Sequence, residues 1–308
     1  MKRGGDFIAE GGFTCVYSPP LTCRGQPDLP AGKYVSRVVN DPSEIEIQKK
    51  VKEILARLET KYPGKVAKYF NLMVSACDEF TIKPTDIHPN KHGEVCNKSP
   101  KLQTPGEIKK GDGLYNLITP RQRETLGVYH TYDKPPVLSL SRNKTLKALK
   151  PLLEALVYVR GEFIHHDAHM GNIGWMLDDR LVLFDWGSVT FGVTEEFKKS
   201  IASFKEVYDR DIEYGETDVN FRTSIVVFGT EDPERLSVIW DLVSILNQMK
   251  YLPLVRRTVL NKARDKIIDL LKVGVPSQDD LLKIINELFQ NPIGGTRRRR
   301  LRRKTTRK

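Results

Sequence analysis

The run His165-His166-Asp167-Ala168-His169-Met170-Gly171-Asn172 sets a carboxylate five positions ahead of a carboxamide, and a second carboxylate stands further on in Asp185-Trp186-Gly187. These residue types in this order suit phosphoryl transfer from a nucleotide. One carboxylate, Asp167, would orient and deprotonate an acceptor hydroxyl. Asn172 and Asp185 supply hard oxygen ligands to a divalent ion, Mg²⁺ or Mn²⁺, that bridges the phosphates. The crowded His165, His166, Asp167 and His169 also admit a hydrolytic metal site, but that reading leaves Asn172 and Asp185-Trp186-Gly187 without a role.

Several elements must position these groups. Ile173–Leu177 and Leu181–Phe184 read as two short strands around an Asp178-Asp179 turn, which brings Asn172 and Asp185 to one edge. Residues 7–17 read as strand–turn–strand around Gly11-Gly12, where small residues let backbone N–H groups approach phosphate oxygens. Lys33–Val39 is a strand candidate carrying Arg37. Residues 43–58 form an amphipathic helix on Ile47, Val51, Ile54, Leu55 and Leu58, and Ser43 with Glu46 matches a capping box. Glu44 lies close to that apolar face. Tyr69–Cys77 is a further strand candidate, residues 81–113 a polar surface insert, and residues 126–132 a strand leading into a hinge. Helices are expected at residues 144–159, interrupted by Pro151, from Thr194 onward, around residues 239–246, at 257–273, and at 278–289 with Ser277 as N-cap.

His165-His166-Asp167, Asn172 and Asp185-Trp186-Gly187 resemble the catalytic loop and metal-binding triplet of protein-kinase-like enzymes. The His-x-Asp-x-His-x-x-Asn spacing looks like the variant of small-molecule and atypical kinases, and the wider pattern over roughly residues 7–250 is similar to serine/threonine kinases of large DNA viruses. The resemblance implies an α+β, two-lobed fold. A small β-rich N-lobe with one main helix would occupy residues 1–135, a mostly helical C-lobe residues 136–292, and a disordered basic tail residues 293–308. It implies an ATP-dependent serine/threonine kinase. Against the usual Gly-x-Gly-x-x-Gly-x-Val, the chain has Ala9, Gly11, Thr14 and Val16, with Gly12 adjacent. Arg37 stands where the family carries a phosphate-binding Lys, with Lys33 as a less well spaced substitute; the exchange is not conservative. Glu44, with Glu46 as second candidate, is expected to pair with that cation, Asp241 to accept hydrogen bonds from the catalytic-loop backbone, and His165 to brace the loop. There is no Ala-Pro-Glu downstream. A small-molecule phosphotransferase of the aminoglycoside- or choline-kinase kind and a pseudokinase that only binds remain alternatives.

Charge and cysteine usage bear on partners and compartment. Of the net charge of +11, residues 297–308 contribute nine Lys or Arg and no acid, so the rest of the chain is near neutral. That tail suits nucleic acid, an anionic surface or a nuclear import receptor, alongside a protein substrate at the active cluster. No apolar run is long enough for a membrane span. The N-terminus lacks a signal-peptide pattern. Cys15, Cys23, Cys77 and Cys96 show no Cys-x-x-Cys pairing and are expected as free thiols in a cytoplasmic or nuclear compartment. His88, His92 and Cys96 lie close enough to suggest zinc, but no fourth ligand falls at a usual spacing.

Overall fold

A computed structural model describes residues 6–10, 14–30, 32–87, 89, 95–126, 142–195, 197–202, 219–249 and 255–290. The fold is mixed α+β. A five-stranded antiparallel sheet has the order β1-β2-β3-β7-β4. Its strands are Asp6–Glu10 (β1), Cys15–Ser18 (β2), Tyr34–Val39 (β3), Ser75–Cys77 (β4) and Tyr115–Pro120 (β7). Phe80–Ile82 (β5) pairs with Gly106–Ile108 (β6). A third sheet joins Gln122–Thr125 (β8), Ile173–Met176 (β9) and Leu181–Leu183 (β10). Helices among the described residues include Ser43–Lys61 (α1), Arg142–Val159 (α2), Val219–Glu231 (α3), Pro233–Ser237 (α4), Trp240–Gln248 (α5), Arg257–Val273 (α6) and Gln278–Gln290 (α7), and residues 197–202 are helical as well.

The register of the large sheet sorts its residues into two faces. Ala9 pairs with Val16, Val16 with Arg37, Arg37 with Leu117, and Leu117 with Ala76. The next row is Glu10, Cys15, Val38, Asn116 and Cys77. Directly paired residues share a face and successive residues alternate, so Arg37 and Val38 point to opposite sides. On the Arg37 side, Val39, Leu117 and Met73 form a small buried cluster against Ile45 of α1. On the other, Cys15, Tyr17 and Val38 pack with Leu21, Phe80, Ile82, Leu102, Ile108 and Leu114.

That second layer corrects two expectations. The cysteines are not free thiols: Cys15 is bonded to Cys96 and Cys23 to Cys77. Neither pairing could be read from spacing, since the partners lie 81 and 54 residues apart. Cys96, as a disulfide sulfur, is not a zinc ligand; His88 and His92 lie outside the described residues. The insert at 81–113 is also more than a polar surface loop. It contributes β6, and Ile82, Cys96, Leu102 and Ile108 are buried in the layer that backs the sheet.

Most remaining elements stand near their expected bounds, with local differences. Tyr69–Cys77 is not one strand, because a 3₁₀ turn at Ala67–Tyr69 precedes β4. Ser43 and Glu46 form no capping box. Asp41 instead accepts from the Ser43 backbone N–H at 2.8 Å and from its hydroxyl at 2.7 Å, while Glu46 pairs with Lys49. An acceptor two residues upstream, just before Pro42, satisfies the first N–H, so Ser43 is not needed as the cap. The Thr194 and Ser277 hydroxyls do cap, accepting from the N–H groups of Phe197 and Asp280. Residues 127–132 of the expected hinge strand, Gly11, Gly12 and the tail at 293–308 lie outside the described residues. Among the described residues no helix is long and apolar enough to cross a membrane.

The largest apolar cluster draws on Val51, Leu55 and Leu58 of α1, on α2, and on Leu242, Val243 and Leu246 of α5. Pro151 sits inside α2 with Leu149, Leu152 and Leu153 fully buried on either side, so packing holds the helix through the missing N–H. Phe163, Ile173, Leu183 and Trp186 join the same cluster, so this core is also the floor beneath Asp167, Asn172 and Asp185.

Candidate functional site

Asn172 and Asp185 flank the β9–β10 hairpin as the spacing predicts. Leu183 pairs with Ile173, and the Phe184 N–H donates to the Asn172 carbonyl at 3.0 Å, so both residues sit at the same end. The turn at the other end has Asp179 in the left-handed region, which Asp tolerates better than most residues. Asp185 is also left-handed, with φ 70°. Its neighbour Trp186 holds that conformation in place. The indole is fully buried, donates Nε1–H to the Asn71 carbonyl at 2.8 Å, and packs against His165, Phe163 and Phe70. A backbone conformation of this cost persists only where its surroundings over-determine it.

Asp167 is bracketed through both of its oxygens. Asn172 Nδ2 donates to Asp167 Oδ2 at 2.8 Å and to the Asp167 carbonyl at 3.0 Å. With those hydrogens committed, the amide oxygen of Asn172 is its acceptor side. His169 Nδ1 accepts from the Gly171 N–H at 2.9 Å, which assigns the ring proton of the neutral tautomer to Nε2, 3.3 Å from Asp167 Oδ1. Burial works to raise the Asp167 pKa, but the His169 contact, the nearby His165 and the Asn172 hydrogen bond outweigh it and hold the group below the usual carboxylate value. Asp167 is therefore an ionised acceptor with fixed orientation.

Beneath the loop lie His165 and Asp241. The His165 N–H donates to Asp241 Oδ2 at 2.8 Å, and His165 Nε2–H donates to the Phe184 carbonyl at 3.0 Å. The backbone acceptor expected of Asp241 is thus in place, and His165 ties the loop to the strand end that carries Asp185. Burial drives the His165 pKa down to about 4 and that of Asp241 up to about 7. The charges of Asp167 and Asp185 oppose the first shift, which puts both carboxylates within electrostatic reach of the one imidazole.

Across from Asp185, Arg37 uses both ends of its guanidinium. Nη1 donates to Glu44 Oε1 at 2.7 Å and Nη2 to Asp185 Oδ1 at 3.2 Å. The expected partnership of Arg37 with Glu44 is present, and it extends to Asp185, 148 residues away. Val16 lies beside Arg37 in register, and Ala9 beside Val16. Lys33 is exposed just before β3, where its carbonyl accepts from the Arg121 N–H, so it stands outside this cluster.

Two residues of the site are not among the candidates the sequence offers. Gln48, fully buried one turn after Glu44, donates to Glu44 Oε1 at 2.9 Å and accepts from the Met73 N–H at 2.6 Å. Asn71 accepts from Trp186 and donates to the Pro120 carbonyl. Only the helical spacing of Gln48 with Glu44, Val51 and Leu55 could have drawn notice to it.

Among the described residues no group of three or more His, Cys, Asp or Glu could hold a metal ion. The Asp185 carboxylate and the Asn172 amide oxygen are a two-oxygen set of the hard kind Mg²⁺ and Mn²⁺ prefer, which fits an ion completed by water and phosphate and does not fit zinc. No protein-family model matches the chain, and no curated protein matches it.

Proposed function

We propose that the protein is an ATP-dependent phosphotransferase with a two-lobed, protein-kinase-like arrangement, and that its acceptor is a serine or threonine hydroxyl. The observation that carries the reading is the fork of Arg37 between Glu44 and Asp185, set beside an Asp167 that is hydrogen-bonded to Asn172. A cation buried against a helix carboxylate, two oxygen ligands at one hairpin end and an oriented carboxylate are the parts that phosphoryl transfer needs.

Each residue then has a defined task. Arg37, steadied by Glu44, binds α- and β-phosphate oxygens; a guanidinium suits bidentate contact. The β1–β2 pair, which carries Ala9 and Val16, would cover the nucleotide; Gly11 and Gly12, expected to line the phosphates, lie outside the described residues. Asn172 and Asp185 would hold a divalent ion, which would supply neutralisation of charge on the phosphates. Asp167 accepts a hydrogen bond from the acceptor hydroxyl and lines it up with the γ-phosphate. Its depressed pKa makes it a weak base, and a loose transition state requires little more. The basic segment 297–308 supplies an electrostatic contact to nucleic acid or another anionic surface, separate from the transfer site.

Incubation with γ-labelled ATP, Mg²⁺ and panels of proteins and of small aminoglycoside- or choline-like alcohols tests this. Label on Ser or Thr, lost in Asp167→Ala, is the expected result. Label only on small alcohols would move the acceptor class, and metal-dependent nucleotide binding without transfer would make the chain a binding module.

A further inference from the structure

We infer that Arg37 makes metal binding at Asp185 conditional on nucleotide. This rests on the phosphotransferase reading and adds an order of assembly to it. Asp185 already has a counter-ion within the protein: Arg37 Nη2 lies 3.2 Å from its Oδ1. A guanidinium stays protonated at every working pH, so this charge leaves Asp185 only by moving. A divalent ion arriving alone meets a fixed positive charge on one of the two oxygen ligands the protein offers. Among the described residues no group of three or more His, Cys, Asp or Glu is gathered to hold such an ion without help from phosphate.

The anchoring of the arginine shows how it can move. Glu44 is held on its inner side by Gln48, itself fixed by the Met73 N–H, and the Arg37–Glu44 contact at 2.7 Å is the more enclosed of the two; the Glu44 side chain is 9% exposed and that of Asp185 47%. Glu44 is the pivot and Asp185 the looser end. Phosphate oxygens offer Nη2 a stronger anionic partner. Its transfer from Asp185 to phosphate frees the carboxylate as the metal's remaining ligands arrive on the nucleotide. No covalent bond changes. The site trades one ion pair for two, and coupling between nucleotide and metal is reciprocal. A lysine, with a single ammonium, cannot span both carboxylates in this way.

The test is Mn²⁺ binding to the full chain, measured by electron paramagnetic resonance with and without a non-hydrolysable ATP analogue, in wild type and Arg37→Gln. Arg37→Gln is expected to bind Mn²⁺ alone about tenfold more tightly than wild type, and the Mn²⁺–nucleotide complex about tenfold more weakly. These opposite signs separate the gate from a structural role, which would weaken both. Wild type and Arg37→Gln binding free Mn²⁺ equally, with the nucleotide complex still binding wild type, overturns the gate and leaves the phosphotransferase reading standing. Failure of wild type to bind the Mn²⁺–nucleotide complex at all overturns both. If Arg37→Gln does not fold, Arg37→Lys carries the same comparison, with the same gain in free Mn²⁺ affinity expected and its absence counting against the gate.

Discussion

Gln48 and Glu44, one helical turn apart, share a hydrogen bond at 2.9 Å whose acceptor oxygen is the one that also receives Arg37. The neutral residue aims the charged one. Removing Glu44 leaves an enclosed guanidinium with, among the described residues, Asp185 to balance it, and loss of one partner of an enclosed pair costs about 3 kcal/mol. Gln48→Ala strands the Met73 N–H and costs about 2 kcal/mol. We expect Glu44→Ala with Arg37→Met to be less destabilised than the sum of the single changes in denaturant unfolding. Strict additivity would show that the pair contributes nothing jointly.

Asp167→Ala is expected to lower turnover by roughly 10²–10⁴-fold while leaving the affinity for Mg²⁺–ATP within about threefold. Its oxygens meet Asn172 and His169 and do not line the Arg37–Glu44 pair. Fluorescence titration with a labelled nucleotide beside steady-state kinetics measures both. Loss of both in parallel would assign Asp167 to architecture.

His165 and Asp241 predict an unusual pH dependence of stability. The folded-state pKa of Asp241 is raised from 3.8 to about 7, so the native state binds the extra proton and this group lowers stability as pH rises between those values. His165 falls from 6.5 to about 4, so the unfolded state binds the extra proton and this group raises stability over nearly the same interval. The two contributions oppose each other in the wild type. Asp241→Asn keeps an oxygen for the His165 N–H and removes one side of the balance. Its stability relative to wild type should therefore climb with pH between about 4 and 6.5, by up to about 1.4 kcal/mol per pH unit. Urea melts at matched pH values check this, and a flat difference would mean that burial does not raise the Asp241 pKa in the native protein.

The two disulfides close loops of 81 and 54 residues. Crosslinks of that span are worth about 4 kcal/mol each if they act by restricting the unfolded chain. Alkylation without reductant should label no cysteine. Reductant should lower the unfolding midpoint, and Cys15→Ser with Cys96→Ser should reproduce part of that loss. Four alkylated cysteines in the untreated protein would contradict the pairing.

Much of the site is legible in the sequence because its chemistry is local. Asn172, the Asp178-Asp179 turn and Asp185 fall within one hairpin, and Asp241 stands out as the one acid in a largely apolar helix. What escapes is long-range or neutral. The register that sets Val16 beside Arg37 is invisible before the strands pair. Tyr115–Pro120, an interior strand between β3 and β4, hides behind a Lys- and Gly-rich approach and ends in a proline. Gln48 reads as one polar residue on an apolar stripe. Cysteine partners 54 and 81 residues apart leave no periodic trace, so the back of the sheet could be found only from the fold.

Adjacent positions on β3 answer to different masters: Arg37 to the carboxylates, Val38 to the cross-linked layer behind. A deletion or insertion of a single residue in this strand would turn the guanidinium into an oily interior and bring valine out to face two acids. The segment is thus intolerant of length change in a way that no substitution scan would reveal, and chemistry and scaffold would be lost in the same step.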